Sequence, residues 1–285
     1  MNKVKILVGN CAEVLKTLPR NYFNCCVTSP PYFSLRDYEM EDQVGMESTP
    51  KEYVDKLVEI FREVRETLRD DGTLWLNLGD TYAAQRSGTH MPAQTVSNGN
   101  HRGTGGIKRR PAHRNASAIG LKHKDLIGIP WKVAFALQED GWYLRQDIIW
   151  SKPNPMPESM KDRCTKSHEY IFLLTKSEKY YFDHEAIREP TVNGGDLKNK
   201  RSVWNVATKS AGVDHYATYP KELVIPCIVA GSPKGGNVLD PFGGSGTTSV
   251  VAQELERNST LIELNPEFAE IARKRTSNGL TSLMV

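Results

Sequence analysis

Short apolar runs alternate with amphipathic stretches along most of the chain. Apolar runs bounded by turn residues predict buried strands, and apolar residues at helical spacing predict helices. The clearest helix starts at Thr49-Pro50, because Thr49 can cap it, Pro50 suits its first turn, and apolar residues then recur at helical spacing up to Leu68. The predicted helices cover residues 12–18, 50–68, 130–138, 220–230, 247–255 and 266–276.

The predicted strands complete an alternating order of strands and helices. They cover residues 4–8, 25–28, 73–78, 143–150, 170–174, 179–182, 237–240 and 260–264. This order predicts an α/β fold with a doubly wound, mostly parallel sheet and helices on both faces. We expect Asp71-Gly72 to turn the chain into the strand at 73–78, and the strands at 170–174 and 179–182 to form an antiparallel hairpin.

The chain length allows one main domain with a less regular part. At 285 residues the chain can bury a sizeable core. We assign residues 1–182 and 214–285 to this catalytic domain. Residues 183–213 are polar and irregular, and their largest apolar side chain, Trp204, is expected to pack against the core.

Positive charge is concentrated in one segment. The formal net charge is only +3, but residues 81–124 contain no Asp or Glu and are rich in Gly, Ser, Asn and His. We expect a mobile loop that contacts the phosphates of a nucleic acid; the alternative is a solvated linker. The basic residues assigned to this contact are Arg86, Arg102, Lys108, Arg109, Arg110 and Arg114.

The cysteines and the N-terminal residues indicate the cellular compartment in which the protein is expected. The five cysteines show no paired spacing, so neither a disulfide framework nor a metal site is expected. The chain opens directly into a predicted strand without a signal peptide, and no apolar run is long enough to span a bilayer. We therefore expect a cytoplasmic protein with no membrane partner.

A glycine-rich turn follows the strand at 237–240. The run Asp240-Pro241-Phe242-Gly243-Gly244-Ser245-Gly246 leads into a helix that begins near Thr247, so free backbone N–H groups face outward there. The Lys of a phosphate-binding P-loop is absent, since Thr247 follows the last glycine. The turn is therefore either a cofactor site or a plain tight turn.

Two further strand ends favour the cofactor. Glu263 ends the next strand, where a carboxylate can bind both hydroxyls of a ribose. Asn10 follows the strand at 4–8, where an amide can pair with an adenine edge. A ribose contact and an adenine contact beside a glycine turn suit S-adenosylmethionine better than a nucleoside triphosphate.

A second turn, Ser29-Pro30-Pro31-Tyr32, follows the strand at 25–28. Its two prolines fix φ and remove two backbone donors, which leaves a rigid turn rich in acceptors. The Ser29 hydroxyl and the Pro30 carbonyl can each accept from one exocyclic NH₂ group, while Tyr32 offers an aromatic face to the ring. Such acceptors pull an aromatic amine toward tetrahedral geometry and free its lone pair. The alternative is a Pro-Pro turn that only ends a strand.

These motifs resemble those of the DNA amino-methyltransferases, which methylate exocyclic nitrogens with S-adenosylmethionine. The matching runs are Ser29-Pro30-Pro31-Tyr32, Leu78-Gly79-Asp80, Trp150-Ser151-Lys152-Pro153-Asn154, His168-Glu169-Tyr170 and Asp240 to Thr248. Because the amine motif precedes the cofactor turn, the chain resembles their beta group. The resemblance implies a circularly permuted Rossmann-like methyltransferase fold.

The resemblance also implies roles for individual residues. The cofactor would be bound by Asn10, Asp240, Pro241, Phe242, Gly243, Gly244, Ser245, Gly246, Thr247 and Glu263. Asp80, beside the catalytic Ser29–Tyr32 turn, would take up a proton or hold the methionine end of the cofactor. Asn10 departs from the family, which more often carries Asp there. Lys152 and Asn154 would line the base pocket and contact DNA; the alternative is a strand-terminating turn.

Ser at the first position of the amine motif mostly marks cytosine-N4 enzymes of this family, and Asp mostly marks adenine-N6 enzymes. Ser29 therefore predicts methylation of cytosine N4 in double-stranded DNA, with the base flipped out of the duplex. Methylation of adenine N6 is the main alternative, and RNA or protein-glutamine methylation and non-enzymatic nucleic-acid binding are more remote. The basic loop and residues 183–213 would read the target. A cognate restriction endonuclease is a candidate partner, and monomer and homodimer both stay open.

The basic loop yields a first prediction. Replacing Arg109 and Arg110 by Ala should weaken DNA binding, because fewer phosphates are neutralised and fewer counterions are released. The slope of log affinity against log salt concentration should flatten by about 1 for each arginine that reaches a phosphate. A fluorescence-anisotropy titration over several salt concentrations measures both quantities. An unchanged slope would make the loop a solvated linker.

Overall fold

The computed structural model describes residues 3–84, 116–191, 194–208 and 219–282. The six basic residues assigned to the DNA-contacting loop, from Arg86 to Arg114, lie outside the described residues. Their contact with DNA therefore stays a prediction.

The described chain alternates strands and helices for most of its length. The strands are β1 (Val4–Val8), β2 (Phe23–Thr28), β3 (Leu68–Leu78), β4 (Tyr143–Ser151), β5 (His168–Thr175), β6 (Glu189–Pro190), β7 (Leu197–Lys198), β8 (Val203–Asn205), β9 (Asn237–Asp240) and β10 (Asn258–Glu263). The helices are α1 (Cys11–Lys16), α2 (Pro50–Thr67), α3 (Ile129–Glu139), α4 (Lys221–Gly231), α5 (Thr247–Glu254) and α6 (Pro266–Ser282).

Eight of these strands form one sheet in the order β1-β10-β9-β2-β3-β5-β4-β8. Strand β5 runs antiparallel to both of its neighbours, and the other neighbouring pairs are parallel. Strands β6 and β7 form a separate two-stranded ladder. The predicted α/β fold with a doubly wound, mostly parallel sheet is thus confirmed.

The sheet is buried on both faces, as the apolar strands predict. Successive residues of β2 point to opposite faces: Cys26 packs in one core cluster with α1, α2 and α3, while Cys25 packs in the other with α4 and α5. Helix α2 begins as the sequence indicates, with the Thr49 hydroxyl accepting the Glu52 N–H at 3.2 Å.

The predicted strand at 179–182 is wrong. These residues are irregular, and the antiparallel hairpin is formed by β4 and β5 instead. Both edges of β5 are already paired, with β3 and with β4, so no edge is left for a further strand. The apolar residue that suggested a strand, Phe182, stacks on Trp75 with ring centroids 6.1 Å apart.

The predicted turn at Asp71-Gly72 is also wrong, because both residues lie inside β3. The register jumps there: Phe23 pairs with Leu68, whereas Cys25 pairs with Thr73. The extra residues of β3 form a bulge instead of ending the strand.

Part of the segment 183–213 joins the main sheet. Strand β8 lies at the sheet edge, parallel to β4, with Trp150 opposite Trp204. Trp204 is buried, as predicted. Among the described residues, no helix has both the length and the apolar character needed to cross a membrane.

Candidate active site

The two motif-bearing turns meet because their strands are neighbours. Strand β2, which precedes Ser29, pairs in parallel with β9, which ends at Asp240. From β2 the chain crosses through α2 to β3 on one side, and from β9 it crosses through α5 to β10 on the other. Such a reversal point, at the carboxyl ends of the strands, is where open α/β sheets bind ligands.

A buried carboxylate joins the two turns. The Thr28 hydroxyl donates to Asp240 Oδ1 at 2.7 Å, and the Thr248 and Tyr219 hydroxyls lie 2.6 and 3.1 Å from Oδ2. The Phe242 N–H donates to Oδ1 at 3.1 Å. Burial raises the pKa of Asp240, and these hydrogen bonds oppose the rise. Asp240 therefore holds the turn from within and does not line the cavity.

The glycines of the turn differ in their surroundings. A Cβ on Gly243 would lie 2.0 Å from Leu261 Cγ, and one on Gly246 would lie 2.8 Å from Ala272 Cβ. Gly243 and Gly246 are thus required by close packing. A Cβ on Gly244, in contrast, would have nothing within 4 Å, and Gly244 lines the cavity.

Glu263 lies beside this turn at the end of β10. Its carboxylate accepts the Gly244 N–H at 2.7 Å and the Asn265 N–H at 2.8 Å. Burial raises the pKa of Glu263, and the two backbone N–H groups oppose the rise. At the end of β1, Asn10 caps α1 by accepting the Ala12 N–H at 2.9 Å. Both side chains line the same cavity.

Tyr32 is held in place at the other end of the cavity. Its hydroxyl lies 2.7 Å from Glu169 Oε2 and 3.1 Å from Asn77 Oδ1. Burial raises the pKa of this hydroxyl well above its usual value, so it stays a neutral donor. A Cβ on Gly79 would lie 2.5 Å from the Tyr32 ring, so the glycine lets the ring pack against the end of β3.

Sequence reasoning missed two residues that contact the Tyr32 hydroxyl, Glu169 and Asn77. Glu169 also pairs with the Lys152 ammonium, which lies 4.2 Å from the centroid of the Trp150 ring. Asn77 donates to the Tyr170 carbonyl at 3.1 Å. The signals were present, since Glu169 stands in a motif match and Asn77 is a polar residue in an apolar strand just before Gly79.

One cavity of about 340 Å³ joins the two ends. The predicted site residues that line it are Asn10, Ser29, Pro30, Pro31, Tyr32, Lys152, Pro241, Phe242, Gly243, Gly244, Ser245, Thr247 and Glu263. The cavity also contacts Asn77, Trp150, Glu169, Thr208 and Phe268. Residues far apart in sequence therefore share one cavity of a size typical of ligand sites.

Besides Asp240 and Gly246, two further predicted site residues among the described ones lie outside this lining. The Asp80 carboxylate accepts the Thr81 N–H at 2.9 Å and the Gly128 and Ile129 N–H groups at 3.1 Å, so it caps the start of α3. Asn154 exchanges hydrogen bonds with Thr208, which does line the cavity. The roles suggested for Asp80 and Asn154 stay predictions.

Comparison with known proteins identifies the family. The family model described as DNA methylase matches residues 23–274, which is most of the chain and includes both turns. The chain belongs to the DNA methylase family. It is therefore a DNA methyltransferase of the N4/N6 class.

Curated relatives match this DNA methylase over nearly its whole length. It is 49% identical to the Type II methyltransferase M.Cfr9I of Citrobacter freundii, over 100% of this chain and 91% of the relative. It is 50% identical to the Type II methyltransferase M.SmaI of Serratia marcescens, over 96% of this chain and 91% of the relative.

Solved structures share the fold at lower sequence identity. The cytosine-N4-specific PvuII DNA methyltransferase superposes with a TM-score of 0.71 at 19% identity, over 96% of this chain and 86% of that one. A putative DNA modification methylase of Thermus thermophilus, complexed with S-adenosyl-L-methionine, gives a TM-score of 0.62 at 23% identity, over 96% of this chain and 93% of that one.

The glycine turn of the DNA methylase yields a prediction with a built-in control. Gly244→Ala should lower the affinity for S-adenosylmethionine at least tenfold, because its methyl group projects into the cavity. Its melting temperature should fall by only a few degrees, because no protein atom is displaced and the cost is that of a Cβ at the left-handed φ of 50°. Isothermal titration calorimetry and thermal unfolding measure the two effects.

Gly243→Ala is the matched control. Its methyl group would collide with Leu261, so this variant should lose more melting temperature than Gly244→Ala does. Unaltered cofactor affinity in a folded Gly244→Ala protein would exclude Gly244 from the cofactor site.

Proposed function

We propose that this DNA methylase transfers a methyl group from S-adenosyl-L-methionine to N4 of a flipped cytosine in double-stranded DNA. The observation that carries the proposal is the single cavity with the glycine turn and Glu263 at one end and the Ser29-Pro30 turn at the other. S-adenosyl-L-methionine is the methyl donor; when bound, its sulfonium would supply a methyl carbon for attack by a nitrogen lone pair, with the thioether S-adenosyl-L-homocysteine as the leaving group.

The residues at the glycine end fit this cofactor. The Glu263 carboxylate is already oriented by two backbone N–H groups and has lone pairs left for the two ribose hydroxyls. The open side of Gly244 leaves room for the cofactor to approach the backbone. Phe268 and Tyr38 both line the cavity, with ring centroids 6.1 Å apart, and they give the nucleoside an apolar wall.

The residues at the proline end fit an exocyclic amine. The Ser29 hydroxyl and the Pro30 carbonyl present acceptors to its two N–H groups, and the rigid Pro-Pro turn keeps them in place. The Tyr32 ring, fixed by Gly79 and by Glu169, supplies a stacking face. Holding the N–H groups out of the ring plane localises the lone pair on nitrogen. After transfer the same acceptors hold these protons until one passes to solvent.

Lys152 supports cytosine as the acceptor. Its ammonium lies in the cavity lining, close to the amine end, and is largely buried against Trp150 and Glu169. Beside its amine, cytosine carries two further acceptors, N3 and O2, whereas adenine has a C–H group in the place of O2. A buried ammonium complements the cytosine edge better. The neutral Ser29 at the first motif position points to the same base.

Attack of a cysteine on C5 of cytosine is a poorer fit. That reaction needs a thiolate in the cavity, and the lining cysteine is Cys11. Burial raises the pKa of the Cys11 thiol to about 12, so it is protonated at neutral pH. Cys227, which follows Pro226, is buried within α4, and burial raises its pKa well above the usual value.

The DNA contacts complete the proposal. We assign residues 1–182 and 214–285 to the catalytic domain, and the basic loop 81–124 and the segment 183–213 to target recognition. Thr208, near the end of that segment, lines the cavity and bonds to Asn154, which brings the segment to the base pocket. Because the curated relatives are named Type II methyltransferases, we further propose a cognate restriction endonuclease as partner.

The methylated nucleoside tests the proposal directly. DNA incubated with the protein and cofactor, then digested to nucleosides, should yield N4-methylcytosine by mass spectrometry. The Ser29→Ala variant should bind the cofactor with unchanged affinity and lower turnover about 100-fold or more, as loss of one preorganised group does elsewhere. Detection of N6-methyladenine instead would contradict the proposal and identify adenine as the methyl acceptor.

A further inference from the structure

The segment between β4 and β5 lies at the rim of the base end of the cavity. Because β5 is antiparallel to β3, this connection emerges at the edge that also carries Ser29 and Gly79. Its first residue, Lys152, lines the cavity. Two positions later, Asn154 is fastened to Thr208, with the Asn154 amide donating to the Thr208 carbonyl at 2.9 Å and the Thr208 N–H donating back at 2.8 Å.

Met156 follows after Pro155 and projects into solvent. It is 84% exposed, the largest value among the exposed large apolar side chains of the described residues. It lies two residues beyond Asn154, so its Cα is within about 7 Å of that anchored position. Pro155 and Pro157 flank it and restrict its backbone to extended conformations. The apolar side chain is therefore presented on a stiff support beside the cavity mouth.

Other residues of the segment hold it in place through contacts that do not involve Met156. Glu158 pairs with Arg163 at 2.6 Å and accepts the Lys166 N–H at 3.3 Å. The Arg163 guanidinium stacks on the Tyr82 ring at 4.1 Å, and Asp162 pairs with Lys124 at 2.5 Å. These contacts join the segment between β4 and β5 to the two described ends of the basic loop. The segment and these two ends therefore lie on the same face of the protein.

We propose that Met156 is the wedge that enters the DNA base stack and fills the space vacated by the flipped target base. Flipping costs unstacking and unpairing energy, and inserted apolar side chains, methionine among them, are a recurrent way to stabilise unstacked DNA. A thioether chain adapts to an irregular gap, and the flanking prolines reduce the conformational entropy lost on insertion. The inference rests on the proposed action on a flipped base, but not on which base is flipped.

The experiment compares Met156→Ala with Met160→Ala, a control in the same segment that is 45% exposed. Each is assayed on a duplex carrying the methylation site and on the same duplex with an abasic site opposite the target base. Removing the partner base lowers the flipping cost, so it should restore a variant that fails only in flipping. Met156→Ala should lose at least tenfold in kcat/KM on the paired duplex and stay within about twofold of the unmodified protein on the abasic one.

Met160→Ala should match the unmodified protein on both duplexes, and cofactor affinity and melting temperature should be unchanged in both variants. With 2-aminopurine as the target base, the fluorescence rise on binding should be lost in Met156→Ala alone. Full activity of Met156→Ala on the paired duplex, or an equal loss on both duplexes, would overturn the wedge. The methylated nucleoside is identified in the same reactions. A product other than N4-methylcytosine would contradict the proposed base, whereas the comparison of Met156→Ala with Met160→Ala would still test the wedge.

Discussion

The buried carboxylate of Asp240 is the constraint on which the rest of the site depends. Its hydrogen bonds reach Thr28 at the end of β2, Thr248 in α5 and Tyr219 before α4, so three separate segments converge on one side chain. A buried carboxylate without such partners would be costly. Ser29 directly follows Thr28, and the glycine turn directly follows Asp240. The bond between Thr28 and Asp240 thus sets the distance between the two halves of the cavity.

The two ends of the cavity on either side of this hydrogen bond are built in different ways. The end proposed to bind the cofactor is built around the glycine turn, where Gly243 and Gly246 are packed too closely for a side chain and Gly244 leaves space open beside the Glu263 carboxylate. The base end consists of side chains around Glu169, which bonds to Tyr32, Asn77 and Lys152. One carboxylate thereby orients both the Tyr32 ring and the Lys152 ammonium, the groups proposed to hold the base.

The sequence predicted the sheet class, the strand bearing each turn and the meeting of the turns, because these follow from local apolar patterns and one rule of parallel sheets. It failed where a residue's surroundings depend on strand neighbours. The central place of Glu169 requires that β5 be antiparallel to β3, which no local pattern shows. Phe182 suggested a strand but packs on Trp75, since both edges of β5 were taken. The cap that the Asp80 carboxylate forms on α3 was likewise not visible in the sequence, because it joins two elements 48 residues apart.

The most direct test of the central claim is a double-mutant cycle on kcat/KM for DNA methylation with Thr28→Val and Asp240→Asn. Melting temperatures for all four proteins separate folding from function. If the hydrogen bond between these residues holds the two halves of the cavity together, the double variant should be little worse than the more damaged single variant, with a coupling energy of about 1 kcal/mol or more. Losses that add to within about 0.3–0.5 kcal/mol would contradict the account.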